Sequence, residues 1–166
     1  MGTRVELRPY SDEDLWLSEA LETDPQAMSE LGGPRSEEKI AEVHHKRVAG
    51  DAGAPWYFVI VPEGEEGAVG QVGIWESEFE GTPIHETGWM VLPAYQGRGI
   101  ATAALGEVIE RAGSDPKIER IHAFPGVPNK PSNALCRRFG FELLGEVAIP
   151  RDDSVLRCNH WALDVA

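Results

Sequence analysis

Apolar residues switch between two periods along this chain, and the order of the switches predicts alternating strands and helices. Residues 6–9 read as a short strand stopped at Pro9. Ser11-Asp12-Glu13-Asp14 then supplies a cap and an acidic first turn for a helix whose apolar positions are Leu15, Leu17, Ala20 and Leu21. A second helix is expected over residues 36–49. Trp56-Tyr57-Phe58-Val59-Ile60-Val61 is β-branched and aromatic, and Glu63-Gly64-Glu65-Glu66-Gly67 separates it from a second strand over 68–75, which makes a hairpin. After an acidic loop the pattern predicts a strand over 84–92, a helix over 99–112, a strand over 118–124 and a helix over 132–139 closed by Gly140. An antiparallel pair over 141–149 and 156–165 ends the chain. No repeat, low-complexity segment or linker interrupts this order, so residues 1–166 are expected to form one domain.

One junction carries chemistry. In Val91-Leu92-Pro93-Ala94-Tyr95-Gln96-Gly97-Arg98-Gly99-Ile100-Ala101 a strand ends, proline stops it, and a glycine turn opens a helix. Small residues let a ligand approach the backbone there, and the helix directs its unbonded N–H groups and positive dipole end at the same point. The expected guest is a phosphate-bearing cofactor. A P-loop is excluded because Gly99 is followed by Ile100 rather than Lys, and a dinucleotide turn because Gly97-x-Gly99 lacks its third glycine. A turn that only caps a helix is the bland alternative.

Charge sharpens this picture. Of 15 Lys/Arg and 28 Asp/Glu, residues 92–140 hold seven and four, so the basic residues concentrate around the glycine turn while the chain as a whole carries −13. Arg98, Lys130, Arg137 and Arg138 suit an anionic cofactor, and the acidic remainder would favour a cationic second substrate or serve only solubility. Nucleic-acid binding is disfavoured, since no basic face is available to neutralise phosphates. No apolar run approaches the ~18 residues of a membrane span, Met1-Gly2 opens neither a signal peptide nor a myristoylation motif, and two cysteines make no disulfide framework or metal cluster. A cytoplasmic protein without membrane contact is expected. Neither is a metal expected at His44-His45, which point to different faces of a helix.

Gln96-x-x-Gly99-x-Ala101, with Val91 five residues before it, resembles the Q/R-x-x-G-x-G/A signature of the GNAT superfamily of acetyl-CoA-dependent N-acyltransferases. Asn129-Lys130-Pro131-Ser132, followed by a short helix and Gly140-Phe141, is similar to the family's second signature. Leu7-Arg8-Pro9, Asp14 and Asp24-Pro25 resemble the opening of the branch that includes ribosomal-protein N-terminal acetyltransferases. The resemblance implies an α/β GNAT fold: a single mixed, mostly antiparallel sheet with a splayed parallel strand pair and flanking helices. It also implies acetyl-CoA as co-substrate, an amine acceptor such as a protein N-terminus or a small molecule, direct attack through a tetrahedral intermediate, and possible homodimers.

Site residues follow from the same resemblance. The backbone N–H groups of Gly97, Arg98, Gly99, Ile100 and Ala101 would hold the pyrophosphate, Gln96 would belong to the same cofactor site, Arg98 would add charge near the adenosine end, and Asn129 and Ser132 would contact the pantetheine and adenosine portions or only cap the helix. The N–H of Val91 or Leu92 would polarise the acetyl carbonyl. Glu86, in His85-Glu86-Thr87-Gly88-Trp89, is the candidate base, with His85 and Glu76 in reserve; a solvent-facing carboxylate is the alternative reading. Many family members carry a tyrosine seven residues after the motif asparagine as general acid, and Cys136 occupies that position here. It is either a shorter acid or a core residue. Glu76, Glu78 and Glu80 either line an entrance or form a solvated edge, His122 reads as structural, and Trp89 borders the acceptor pocket or the core. A non-catalytic acyl-CoA sensor of the same fold is the rival reading.

Overall fold

A computed structural model describes residues 3–28, 33–48, 56–151 and 154–166. Its elements are β1 (Val5–Pro9), α1 (Leu15–Thr23), α2 (Glu37–Val48), β2 (Trp56–Pro62), β3 (Gly70–Phe79), β4 (Thr82–Val91), α3 (Ile100–Gly113), β5 (Arg120–Ala123), α4 (Lys130–Arg138), β6 (Glu142–Arg151) and β7 (Ser154–Asp164). The strands form one seven-stranded sheet in the order β1-β2-β3-β4-β5-β7-β6. Every neighbouring pair is antiparallel except β4 and β5. This is the expected mixed α/β architecture. Among the described residues no helix is long and apolar enough to cross a membrane.

Local chemistry explains the boundaries. The Asp14 carboxylate accepts both the N–H and the hydroxyl of Ser11, at 2.9 and 3.0 Å, which fixes the turn that starts α1. Ser36 caps α2 by accepting the Lys39 N–H at 3.2 Å. Ala49, expected to end that helix, and Met1-Gly2 lie outside the described residues. The acidic loop expected after Trp75 is instead strand. β3 runs on through Glu76, Ser77 and Glu78, and the chain reverses at Glu80-Gly81, both at positive φ (50° and 78°). That is the backbone a two-residue hairpin requires, and glutamate in the left-handed region is rare enough to hide it in the sequence.

The helices cover the two faces of the sheet. Ile100, Ala104, Val108 and Ala112 recur every fourth residue on α3 and pack with Phe58, Ile60, Val72 and Ile74 in the larger core. Leu17 and Leu21 of α1 pack with Val59 and Ala68 on the other face. Adjacent residues of β2 thus serve opposite cores, as a pleat demands. Each such leucine, fully buried, contributes roughly 1.5–3 kcal/mol. The fixed faces set where β4 opens.

Candidate active site

β4 and β5 are partners at only two positions, His85 with Ile121 and Glu86 with His122, and β4 then continues alone to Val91. On its other edge β4 stays paired with β3 throughout, Val91 opposite Gly70. Leu92 donates its N–H to the Val69 carbonyl at 2.8 Å, so by antiparallel alternation the N–H groups of Val91 and Trp89 point away from β3 into the gap. This corrects one expectation: the Leu92 N–H is already engaged, and Leu92 packs against the smaller core. The Val91 N–H is the one left facing the gap. Its carbonyl accepts the Gln96 side-chain amide at 3.0 Å, which ties the glycine turn to the strand end.

Beyond Gln96 the turn is built for close approach. Gly97 and Gly99 have φ of 76° and 78°, and a Cβ on Gly97 would point into open space. Backbone hydrogen bonding resumes where Ala103 donates to the Gly99 carbonyl at 3.0 Å, and among the described residues the N–H groups from Gly97 to Thr102 have no backbone acceptor. These are the unsatisfied donors of a helix start, aimed with its positive dipole end at one place. Gly97, Gly99, Ile100 and Ala101 line a cavity of about 1130 Å³ that extends along the gap to Glu86. A cofactor with a pyrophosphate and a thin arm fits these residues. Arg98 lies outside the lining, exposed, with its guanidinium 5.2 Å from the Tyr95 ring.

Across the gap Asn129 caps α4, its side chain accepting the Ser132 N–H at 3.2 Å, and both residues line the cavity. The Ser132 hydroxyl accepts the Trp89 indole N–H at 3.2 Å, a strut from β4 to the first turn of α4 that sequence reasoning did not find. It also missed Asn133. Buried on α4, its amide donates to the carbonyls of Gly126 and Asn129 at 3.0 and 2.8 Å, and its oxygen accepts from Asn159 and Trp161, both at 2.9 Å. Asn133 thus holds the loop before α4 against β7. Asn133→Leu orphans the Asn159 and Trp161 donors, while the Gly126 and Asn129 carbonyls keep the backbone N–H groups of Asn129 and Asn133, and it is expected to cost about 2–4 kcal/mol, read as a denaturant midpoint shift at constant m.

Among the reserve bases geometry discriminates. Glu86 is half-buried and lines the cavity beside Tyr57 and Trp75, whose rings stack at 5.7 Å. Neither His85 nor Glu76 reaches the lining. His122 bonds His160, Nδ1 to Nε2 at 2.8 Å, within a cluster with Phe79 and Phe124, and burial together with the cationic neighbours pushes its pKa down to about 4. The unfolded chain takes up this proton near pH 6.5 and the folded one only near 4, so acidification through that window destabilises the fold, and His160, also lowered, adds the same sign. With a half-exposed ring screened by solvent, the effect is expected to be about 1 kcal/mol, and His122→Asn should remove it from the difference between stabilities at pH 7 and pH 5.

Cys136 is not brought to the site. It is fully buried in the larger core, absent from the cavity wall, and burial pushes its thiol up to about 12. A proton held that tightly and that far inside is a poor donor to a leaving thiolate. Cys136→Ala is expected to cost about 1–2 kcal/mol of stability and to leave kcat within about twofold in a thiol-release assay.

The acidic excess does not reach the cavity either. Glu76, Glu78 and Glu80 form strand and hairpin positions away from its wall, which includes Arg35, Lys46, Arg47 and Arg138 and, among the described residues, Glu86 as the one carboxylate. No group of three or more His, Cys, Asp or Glu side chains among the described residues is placed to hold a metal.

Comparison with known proteins settles the family. Residues 4–142 match the acetyltransferase (GNAT) domain. The chain belongs to the GNAT acetyltransferase family. Its fold is shared by an acetyltransferase of this family from Bacillus anthracis, at TM-score 0.78 and 22% identity over 99% of this chain and 97% of that one. The spermidine N-acetyltransferase of Vibrio cholerae, solved with CoA and spermine, superposes at 0.77 with 18% identity over 97% and 95%. A Salmonella typhimurium acetyltransferase that modifies the N-terminal serine of ribosomal protein L7/L12 gives 0.77 and 21% over 98% and 96%.

Proposed function

We propose that this GNAT domain moves an acetyl group from acetyl-CoA to a primary amine by direct attack, with no covalent acyl-enzyme. The observation that carries this reading is the continuity of one cavity from the N–H groups of 97–102, past the gap-facing N–H of Val91, to the carboxylate of Glu86. On this reading donor recognition, carbonyl polarisation and proton acceptance follow one another along the cavity.

The backbone of Gly97 to Ala101 holds the pyrophosphate, each N–H and the helix dipole contributing about 0.3–1 kcal/mol. Arg98, exposed beside it, adds charge at the adenosine end. Val91 donates its N–H to the acetyl oxygen as negative charge builds there. Glu86, directly or through one water, takes the proton of the attacking amine as the N–C bond forms and the C–S bond breaks. The thiolate that leaves is protonated from water or from the Ser132 hydroxyl, which already lies on the cavity wall. Trp89 holds that hydroxyl and keeps the gap at a fixed width.

The deciding measurement is thiol release from acetyl-CoA with a panel of small amines and N-terminal peptides. Amine-dependent release, with acetylated product of matching mass, is the expected result. Tight acetyl-CoA binding with no release from any amine would replace this reading with that of an acyl-CoA sensor.

A further inference from the structure

We propose that the acceptor carries an anionic group besides its amine, and that Arg47 receives it. This inference rests on the transfer reading above and narrows its substrate class.

The wall of the cavity facing the sheet comes from α2 and the segment before it, and it conceals a charge cluster. Glu22 of α1 is fully buried between two guanidiniums: Arg47 Nη2 lies 2.6 Å from its Oε1 and Arg35 Nη1 lies 3.5 Å from its Oε2. The Arg47 side chain is only 9% exposed, yet it lines the cavity, and its Nη1 has no hydrogen-bond partner among the described residues. A guanidinium is a rigid fork with more donors than one carboxylate uses. Glu22 engages one nitrogen of the fork, the Tyr10 ring lies 5.7 Å from the guanidinium carbon, and Nη1 is left without an acceptor among the described residues. Buried donors without partners are rare enough to call for a ligand.

The position of this fork relative to the base gives the ligand its shape. Arg47, Tyr57 and Glu86 line the same cavity, and the charges of both Arg47 and Glu86 act on the Tyr57 phenol, which burial pushes up to about 12. An amine at Glu86 and an anion at Arg47 therefore belong to one small molecule or one short chain segment laid across Tyr57. Polyamines fit poorly, because the described wall offers them one carboxylate and sets Arg35, Lys46 and Arg47 against a second positive charge. The net charge of −13 does not contradict this, since the acidic residues lie elsewhere on the surface. A free amino acid and the N-terminus of a protein with an acidic side chain share the required chemistry.

Matched acceptors test the proposal. Thiol release is measured with aspartate against its diamide, with a Ser-Asp-initiated peptide amide against its Ser-Asn counterpart, and with spermidine; binding of each to the CoA-saturated protein is followed by calorimetry. The acid of a pair is expected to exceed its neutral partner by at least about tenfold in kcat/KM, chiefly through KM, with spermidine poorest. Which pair shows the larger ratio distinguishes a free amino acid from a protein N-terminus. Removing Arg47 alone strands the Glu22 carboxylate, so the informative variant is Glu22→Leu with Arg47→Met. It should abolish the acid preference and leave acetyl-CoA affinity within about twofold, while Arg47→Lys retains part of the preference because it keeps the charge but loses the fork. Equal use of acid and amide, or a preference that survives in the double variant, overturns the anion site and leaves transfer standing. Selective binding of the acids with no thiol release supports the anion site and overturns transfer.

Discussion

Ala101→Glu is expected to weaken acetyl-CoA binding by about a hundredfold or more, close to 2.7 kcal/mol, in a protein that remains folded. Ala101 is the second residue of α3, half-buried, on the cavity wall, and within regular helix. A carboxylate there sits at the positive end of the helix dipole and stabilises the helix by about 0.3–1 kcal/mol, so the substitution opposes cofactor binding without opposing the fold. The same charge occupies the place expected for the pyrophosphate and consumes the N–H groups that would receive it. Ala101→Gln separates the two causes: it supplies the bulk without the charge, and its loss should be about tenfold smaller. Substituting Gly99 is less informative, because φ of 78° strains any side chain and its Cβ would lie 3.2 Å from the Thr3 hydroxyl oxygen. Calorimetry with acetyl-CoA and a thermal melt read both quantities. Unchanged affinity in a folded Ala101→Glu protein would remove the phosphate site from this turn.

What could be seen in advance follows from how far along the chain each interaction reaches. The glycine turn, the α4 cap and the order of strands were visible because their determinants lie within a few residues: positive φ at Gly97 and Gly99, Asn129 bonding Ser132, and period-two or period-four apolar spacing. The Glu80-Gly81 turn escaped because its first residue is not one that favours the left-handed region. Other features depend on contacts distant in sequence. Trp89 meets Ser132 across 43 positions, Arg47 meets Glu22 across 25, and Asn133 joins Trp161 across 28. No local pattern encodes such pairs. Cys136 shows the opposite error: its position counted from Asn129 matched a catalytic tyrosine, but the helix turns a short side chain at that position into the core. Net charge left its two readings open for a related reason, since a total of −13 says nothing of which side chains face a cavity whose described wall contains one carboxylate.

That carboxylate gives the second large effect. Glu86→Gln is expected to lower kcat by about a hundredfold to a thousandfold near neutral pH, with acetyl-CoA affinity unchanged, because it removes a proton acceptor and alters neither the glycine turn nor the Val91 N–H. Glutamine keeps the size and hydrogen-bonding shape of the side chain, so Tyr57 and Trp75 beside it have no reason to move. The diagnostic is the pH profile. An acceptor amine is protonated at neutral pH, with an ordinary pKa near ~8 for an α-amino group and ~10.4 for a lysine-like amine, and it must lose a proton before or during attack. If Glu86 is the base, wild type supplies the acceptor for that proton and the variant must await the neutral amine. The ratio of wild-type to variant rate should therefore be largest at low pH and shrink as pH approaches the pKa of the amine. Glu86→Asp, which withdraws the carboxylate by one methylene, should fall between the two at every pH. A ratio that is large but constant with pH would make Glu86 a positioning residue for the acceptor. Rates equal to wild type would leave proton removal to bulk water, and the cavity would then contain a donor site with no base of its own.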